Sequence, residues 1–316
     1  MKQEIKQQII ESLEAYMEHH GMSANEVAKK TGINASYISN MRSGNFTVTS
    51  GTNQVEIADK YFETIANLTG YKLVTVYGQT VATPQLKRII ASLEGAKEMG
   101  YTAVLIGETG SGKTFAVDIF ARSYPLDCFV ITVGSQDNMG DLLEKITDKI
   151  GITTEKTKSR TVRAITRKLK GMRNDGLRPM LIFDESEYMK QPALCNMKEM
   201  YDHLYGVAAL VLIGTEQLIK NIEKMRKKNR DGMPQLYRRI KFGILHLPVI
   251  DRTFKYFLNA FLNTELNDDV VRFVRENCEN YGEIHDVLVP AMREAERIGQ
   301  PLTENLIRTM LNMPKL

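Results

Sequence analysis

The chain has 316 residues, of which 43% are hydrophobic and 25% charged, a composition typical of a globular protein with two or three domains. Its formal net charge of +4 is too small to indicate a binding partner. The three cysteines have no C-x-x-C spacing, which argues against zinc, and no apolar run approaches the ~18 residues of a membrane span. We therefore expect a cytoplasmic protein without a membrane partner.

The first 70 residues have the pattern of a small helical bundle. Ser23 and Glu26 have the spacing of a capping box at the start of the second helix, and Gly32 ends that helix. A third helix is predicted from residue 34 to about 41, and a fourth from 55 to 68. We expect this domain, residues 1–70, to contain helices only.

The order of these helices resembles the helix-turn-helix of lambda-repressor-type domains, in which the second helix of the pair enters the major groove. This resemblance implies DNA contacts from the exposed side of the third helix, with Ser36, Tyr37, Asn40 and Arg42 as candidates. The alternative is a module that binds another protein. The acidic and basic residues of the domain nearly cancel, so we expect only modest, salt-sensitive DNA affinity.

Residues 71–83 are predicted to be a linker, after which apolar strands alternate with helices up to residue 248. Five strands buried on both faces and separated by helices predict an α/β domain, residues 84–248, with a five-stranded parallel sheet. Residues 249–316 show four helix patterns and no strand. They are predicted to form a small helical lid domain.

A complete phosphate-loop motif, G-x-x-x-x-G-K-T, lies between a predicted strand and a predicted helix. In such a loop, backbone N–H groups surround the β-phosphate, the lysine reaches the β and γ oxygens, and the threonine binds Mg²⁺. The predicted nucleotide-binding residues are Gly107, Glu108, Thr109, Gly110, Ser111, Gly112, Lys113 and Thr114.

Two acidic residues, Asp184 and Glu185, follow the apolar strand at residues 180–183 in the manner of a Walker B motif. Asp184 is predicted to hold Mg²⁺ together with Thr114, and Glu185 to orient the attacking water. The next strand ends at Gly214, so Thr215 should reach the same edge of the sheet and contact the γ-phosphate.

Arg238 and Arg239 lie just before the last predicted strand. Either guanidinium is a candidate for an arginine finger that stabilises the transition state at the nucleotide of a neighbouring subunit. The alternative is an ordinary solvated or DNA-facing pair.

Two blocks of the α/β region are strongly basic. Residues 151–178 contain nine Lys and Arg residues against two acids, and residues 220–241 contain nine against two. Arginines spaced by three and four residues on one helical face can follow phosphates without reading bases. The candidate DNA contacts are Lys156, Lys158, Arg160, Arg163, Arg167, Lys168, Lys227 and Lys228.

Taken together, the phosphate loop, the acid pair, Thr215, the two arginines and the helical lid resemble an AAA+ ATPase. With the helix-turn-helix and the stretch LIGTEQL at residues 212–218, the chain resembles the MuB family of transposition ATPases, with the IstB and TnsC families more distant. This resemblance implies ATP and Mg²⁺ as cofactors. It also implies a helical oligomer that forms with ATP on double-stranded DNA, largely without sequence specificity. This oligomer is expected to select the target DNA and deliver it to a transposase, with ATP hydrolysis releasing the DNA.

The lid departs from the usual AAA+ pattern in one position. Where a sensor-2 arginine is common, this chain has the stretch Gly282 to His285. His285 is a candidate nucleotide contact in its place, and the alternative is a surface or packing histidine.

Two other functions fit the same motifs. A helicase loader shares the ATPase core but prefers single-stranded DNA and a helicase partner. A transcription regulator would use the helix-turn-helix to read one operator and the nucleotide to switch its oligomeric state.

Overall fold

The computed structural model describes residues 3–50, 53–69, 79–262 and 267–314. The chain divides into two compact units, Met1–Val76 and Tyr77–Leu316. None of the helices in the described residues has an apolar stretch long enough to cross a bilayer.

The first unit is a helical bundle with one short β-hairpin. Its elements are α1 (Gln3–His20), α2 (Ala24–Thr31), α3 (Ala35–Arg42), β1 (Thr47–Ser50), β2 (Asn53–Glu56) and α4 (Asp59–Thr69). The capping box of Ser23 and Glu26 is present, and Gly32 ends α2 in a left-handed conformation with φ of 71°. Buried side chains such as Leu13, Ile38 and Phe62 form its core.

The hairpin corrects the expectation of a unit that contains helices only. β1 and β2 pair in antiparallel fashion directly after α3, and α4 begins at Asp59 rather than at residue 55. Each strand has only four residues, which is too short for an alternating pattern to stand out in the sequence.

The second unit begins with the predicted α/β arrangement. Its elements up to residue 246 are α5 (Pro84–Met99), β3 (Thr102–Ile106), α6 (Lys113–Ser123), β4 (Cys128–Thr132), α7 (Met139–Ile150), α8 (Lys158–Asn174), β5 (Met180–Asp184), α9 (Gln191–Leu204), β6 (Ala209–Gly214), α10 (Glu216–Lys227), α11 (Met233–Ile240) and β7 (Ile244–His246). The five strands are parallel in the order β4-β5-β6-β3-β7, which confirms the predicted sheet.

Helices cover both faces of this sheet. Side chains of successive strand residues point to opposite faces, so each strand packs against helices on both sides. Val104 and Ile106 of β3 pack with α7 to α11 on one face, whereas Ala103 and Leu105 pack with α5 and α6 on the other. Burial on both faces explains why the strands are almost continuously apolar.

Four helices follow the sheet and share a separate hydrophobic cluster: α12 (Lys255–Leu262), α13 (Asp268–Asn277), α14 (Tyr281–Ile298) and α15 (Glu304–Met310). Val81 belongs to this cluster, and the backbone N–H of Gln79 donates to the Phe261 carbonyl at 2.9 Å. The end of the predicted linker therefore packs on α12, while residues 71–78 lie outside the described residues. The division at residues 83 and 248 stays a prediction.

Candidate functional site

The phosphate loop follows β3, which is an interior strand of the sheet, and α6 begins within the motif at Lys113. In the parallel registers Ile106 is opposite Gly214, and β5 ends at Asp184 beside β6. The carboxyl ends of β3, β5 and β6 therefore meet at one edge of the sheet, where ligands of parallel α/β proteins bind.

The backbone conformation requires glycine at two positions of the loop, and one of them is also closely packed. Gly110 and Gly112 have φ of 70° and 84°, in the left-handed region that favours glycine. At Gly110 a methyl group would also overlap the Asn280 side chain at the start of α14, whereas at Gly112 the space is open. The lid helix therefore packs directly against the phosphate loop.

A short hydrogen bond joins the loop to the acid pair. The Thr114 hydroxyl donates to Asp184 Oδ2 at 2.7 Å, and Asp184 is only 3% exposed. A threonine hydroxyl and a carboxylate are the hard oxygen ligands that Mg²⁺ takes in nucleotide sites. These two side chains therefore fit the predicted metal site.

Lys113 lies across the loop. Its ammonium donates to the carbonyl oxygens of Gly107 at 3.0 Å and Glu108 at 2.7 Å. Burial lowers the pKa of Lys113, and the nearby carboxylates of Glu187 and Asp184 oppose this shift. The ammonium is thus held inside the site by carbonyls that a phosphate oxygen can replace as acceptor.

Ser111 provides further support for an anion in the loop. Its hydroxyl oxygen is buried and has no hydrogen-bond partner within the described residues. Buried polar atoms without partners are rare in folded proteins and commonly mark the place of a ligand or water. A phosphate oxygen in the loop fits this position.

Glu185 follows Asp184 in a strained conformation with φ of 56°, and its backbone N–H donates to Asp184 Oδ1 at 2.9 Å. Its side chain is exposed. A second glutamate, Glu187, lies in the following 3-10 turn, Ser186–Tyr188, and lines the same cavity. Glu187 was not among the residues predicted from the sequence, because its place in the cavity depends on the turn after β5.

The cavity beside the loop has a volume of about 540 Å³ and is also lined by Thr215 and His285. The strand and lid thus bring both predicted residues to the site. Thr215 precedes the first residue of α10, and its side chain does not cap that helix. His285 is exposed, with Nδ1 3.7 Å from Asp286 Oδ1.

Three aromatic rings of the lid line this cavity and stack on one another. The Phe257 and Tyr281 rings are 4.6 Å apart with an interplanar angle of 22°, and Phe257 stacks on Phe261 at 5.4 Å and 16°. The outer face of such an aromatic stack can pack against a nucleobase.

The two candidate arginines of α11 have different surroundings. Arg239 binds both carboxylate oxygens of Asp202 on α9, with Nε–Oδ1 at 2.6 Å and Nη2–Oδ2 at 3.1 Å. Arg238 is exposed, and in the part of the chain that the structure describes its side chain makes no hydrogen bond or ion pair. Neither arginine is among the residues that line the cavity.

Known proteins share these features. A family model described as "AAA domain" matches residues 98–222, which include the phosphate loop, the acid pair and Thr215. Over 211 residues the chain is 25% identical to Mu-like prophage FluMu DNA transposition protein B of Haemophilus influenzae, a match that covers 66% of this chain and 70% of that protein. The chain is thus similar to AAA domains over residues 98–222 and to a MuB-type transposition protein over 66% of its length.

Solved structures share the fold at lower identity. The Aeropyrum pernix ORC2 protein in ADPNP–ADP complexes is 15% identical with a TM-score of 0.53, over 75% of this chain and 70% of that one. Cdc6p from Pyrobaculum aerophilum is 15% identical with a TM-score of 0.54, over 72% and 65% of the two chains. These likenesses confirm the AAA+ fold.

The candidate DNA contacts of α3 largely make contacts within the first unit. Arg42, which we expected to be free, binds Glu14 through two nitrogens at 2.6 and 3.0 Å. Tyr37 packs edge-on against Tyr61, and Ser36 donates to Asn34 at 2.9 Å. The Asn40 amide donates to the Thr47 carbonyl of the hairpin at 3.4 Å.

The basic candidates of the second unit are all exposed. Lys156 precedes α8, and Val162, Ile165 and Leu169 bury the inner face of that helix. Its outer face presents the predicted contacts to solvent: Lys158, Arg160, Arg163, Arg167 and Lys168. Lys227 is the last residue of α10 and Lys228 follows it.

The Gly110→Ala substitution should lower affinity for a nucleoside triphosphate at least about tenfold, equivalent to about 1.4 kcal/mol. A methyl group there disfavours the left-handed backbone and displaces Asn280. Titration with a fluorescent ATP analogue measures the change. Gly171→Ala on α8, where nothing lies within 4 Å of the added methyl group, is the matched control and should bind normally. Unchanged affinity of the Gly110 variant would contradict the role of the loop.

Proposed function

We propose that this chain is an ATPase that binds double-stranded DNA in the presence of ATP, assembles on it as a helical filament and delivers it to a transposase. The observation that carries the proposal is the hydrogen bond between Thr114 and Asp184 in a chain related to a transposition protein B. This bond joins the phosphate loop to an acid at the same edge of the sheet. An ATPase requires both groups to hold the nucleotide and its Mg²⁺.

Each side chain of the site has a distinct task in this proposal. The loop N–H groups and Lys113 hold the phosphates, while Thr114 and Asp184 hold Mg²⁺, which neutralises charge on the phosphates when bound. Glu185 orients the attacking water, and Thr215 contacts the γ-phosphate. His285 occupies the lid position from which a side chain can reach the nucleotide. The aromatic stack of Phe257 holds the base.

The DNA contacts are assigned to the exposed basic residues of α8 and of the end of α10. Because their side chains reach phosphates rather than base edges, binding is largely independent of sequence. A filament adds many weak contacts along one duplex, so its affinity falls steeply with salt. The first unit adds a modest contribution to DNA or contacts a protein partner, since Arg42 is already paired.

Electron microscopy of the protein on random-sequence duplex tests this function. Filaments are expected with ATP at low salt and should be lost with ADP, at raised salt, or in Lys113→Ala. Lys149→Ala, an exposed lysine of α7, is the matched control. Isolated particles that bind equally with and without ATP would refute filament assembly. A preference for single strands would favour a helicase loader, and a preference for one site would favour a transcription regulator.

Within this proposal we assign the finger to Arg238, and the surroundings of the two arginines support that choice. The Arg238 guanidinium is free to reach a neighbouring subunit, whereas Arg239 holds α11 to α9 through Asp202. We expect Arg238→Ala to lower DNA-stimulated turnover about 10³-fold while ATP affinity is retained. Arg239→Ala should mainly lower the thermal midpoint.

Mixing two inactive variants makes this test specific. Arg238→Ala keeps an intact nucleotide site, and Lys113→Ala keeps an intact arginine, so neighbouring subunits of the two kinds form one complete site. The mixture should regain part of the turnover that each variant lacks. No recovery, or normal turnover of Arg238→Ala alone, would rule out Arg238 as the finger.

A further inference from the structure

Two hydrogen bonds fix the position of Glu187, one from the residue before it and one to its own backbone. The Ser186 hydroxyl donates to the Phe183 carbonyl at 2.7 Å and is fully buried, which fixes the 3-10 turn to the end of β5. The Asn221 amide of α10 donates to the Glu187 carbonyl at 3.5 Å. The backbone of Glu187 is therefore anchored to the end of β5 and to α10.

One carboxylate oxygen of Glu187 is buried without a donor. Within the described residues Oε2 has no hydrogen-bond partner, and it lies so close to β6 that a methyl group on Gly214 would come within 2.5 Å of it. A buried acceptor left unpaired costs about 1–3 kcal/mol, so such atoms usually receive a hydrogen bond from a bound molecule.

This oxygen lies beside Gly214, close in the chain to the residue proposed to contact the γ-phosphate. Glu187 lines the cavity, and Gly214 is followed directly by Thr215, the candidate contact of the γ-phosphate.

Glu185 has the opposite character. Its side chain is exposed, and only its backbone N–H takes part in the hydrogen bonds of the acid pair. Both glutamates line the cavity, and Glu187 is the one with a buried carboxylate oxygen that has no partner in the described part of the chain.

We propose that Glu187 is a further catalytic residue of ATP hydrolysis, whose buried carboxylate oxygen accepts a hydrogen bond from the attacking water. This inference rests on the proposed ATPase function. In the step, the bond from water oxygen to the γ-phosphorus forms while the bond from the γ-phosphorus to the bridging oxygen breaks. The electron pair of the broken bond leaves with ADP, and one water proton passes to a glutamate carboxylate and then to the released phosphate.

Glu187→Gln tests the proposal because the amide keeps the size of the side chain and loses the charged acceptor. Single-turnover hydrolysis should slow about 10²-fold or more, the range for a positioned acid or base. Affinity for a fluorescent ATP analogue should stay within about threefold of wild type. Glu144→Gln, an exposed glutamate of α7, is the matched control and should change neither value.

Glu187→Asp separates catalysis from charge balance around Lys113. It keeps the negative charge but withdraws the oxygen by one methylene, so we expect hydrolysis to stay at least about tenfold slow. Recovery of the rate in this variant would show that only the charge matters and would overturn the proposal.

The remaining outcomes are equally decisive. Hydrolysis by Glu187→Gln within about threefold of wild type, or a loss of nucleotide binding that accounts for the slower rate, overturns the catalytic role alone. If the wild-type protein on DNA does not hydrolyse ATP, the proposed function fails and this inference fails with it.

Discussion

The parallel pairing of β3, β5 and β6 is the constraint on which the site depends. It brings the phosphate loop, the acid pair and Thr215 to one edge of the sheet, although they are separated by up to about a hundred residues in the chain. The hydrogen bond of 2.7 Å from Thr114 to Asp184 is the direct result. A slip of one residue in this register would turn every side chain of a strand to the opposite face and separate the pair.

The lid touches the same loop at two points, which connects the nucleotide site with the last four helices. Asn280 packs over Gly110, and Arg252 donates to the Glu108 carboxylate at 2.6 Å. The ion pair is exposed, so it adds little to stability. Its position matters more, because a nucleotide that reshapes the loop changes contacts with the lid and with any subunit packed against it.

The sheet and the loop were predictable from the sequence because buried parallel strands are continuously apolar and the loop motif has fixed spacing. Glu187 was missed because burial of one oxygen depends on the turn after β5, which no local pattern reveals. The same holds for Arg42 and Arg239, whose partners lie far away in sequence. The pairing of β1 and β2 was missed because each strand is too short to show an alternation of apolar and polar residues.

In the proposed function, ATP hydrolysis in this site releases the DNA and so limits how long the protein stays bound to it. Complexes with a labelled duplex would be formed with ATP or with a non-hydrolysable analogue, and release would be timed after addition of excess unlabelled duplex. The account predicts that analogue complexes, and Glu185→Gln complexes with ATP, last at least about tenfold longer than wild-type complexes with ATP. Equal lifetimes in all three cases would contradict it.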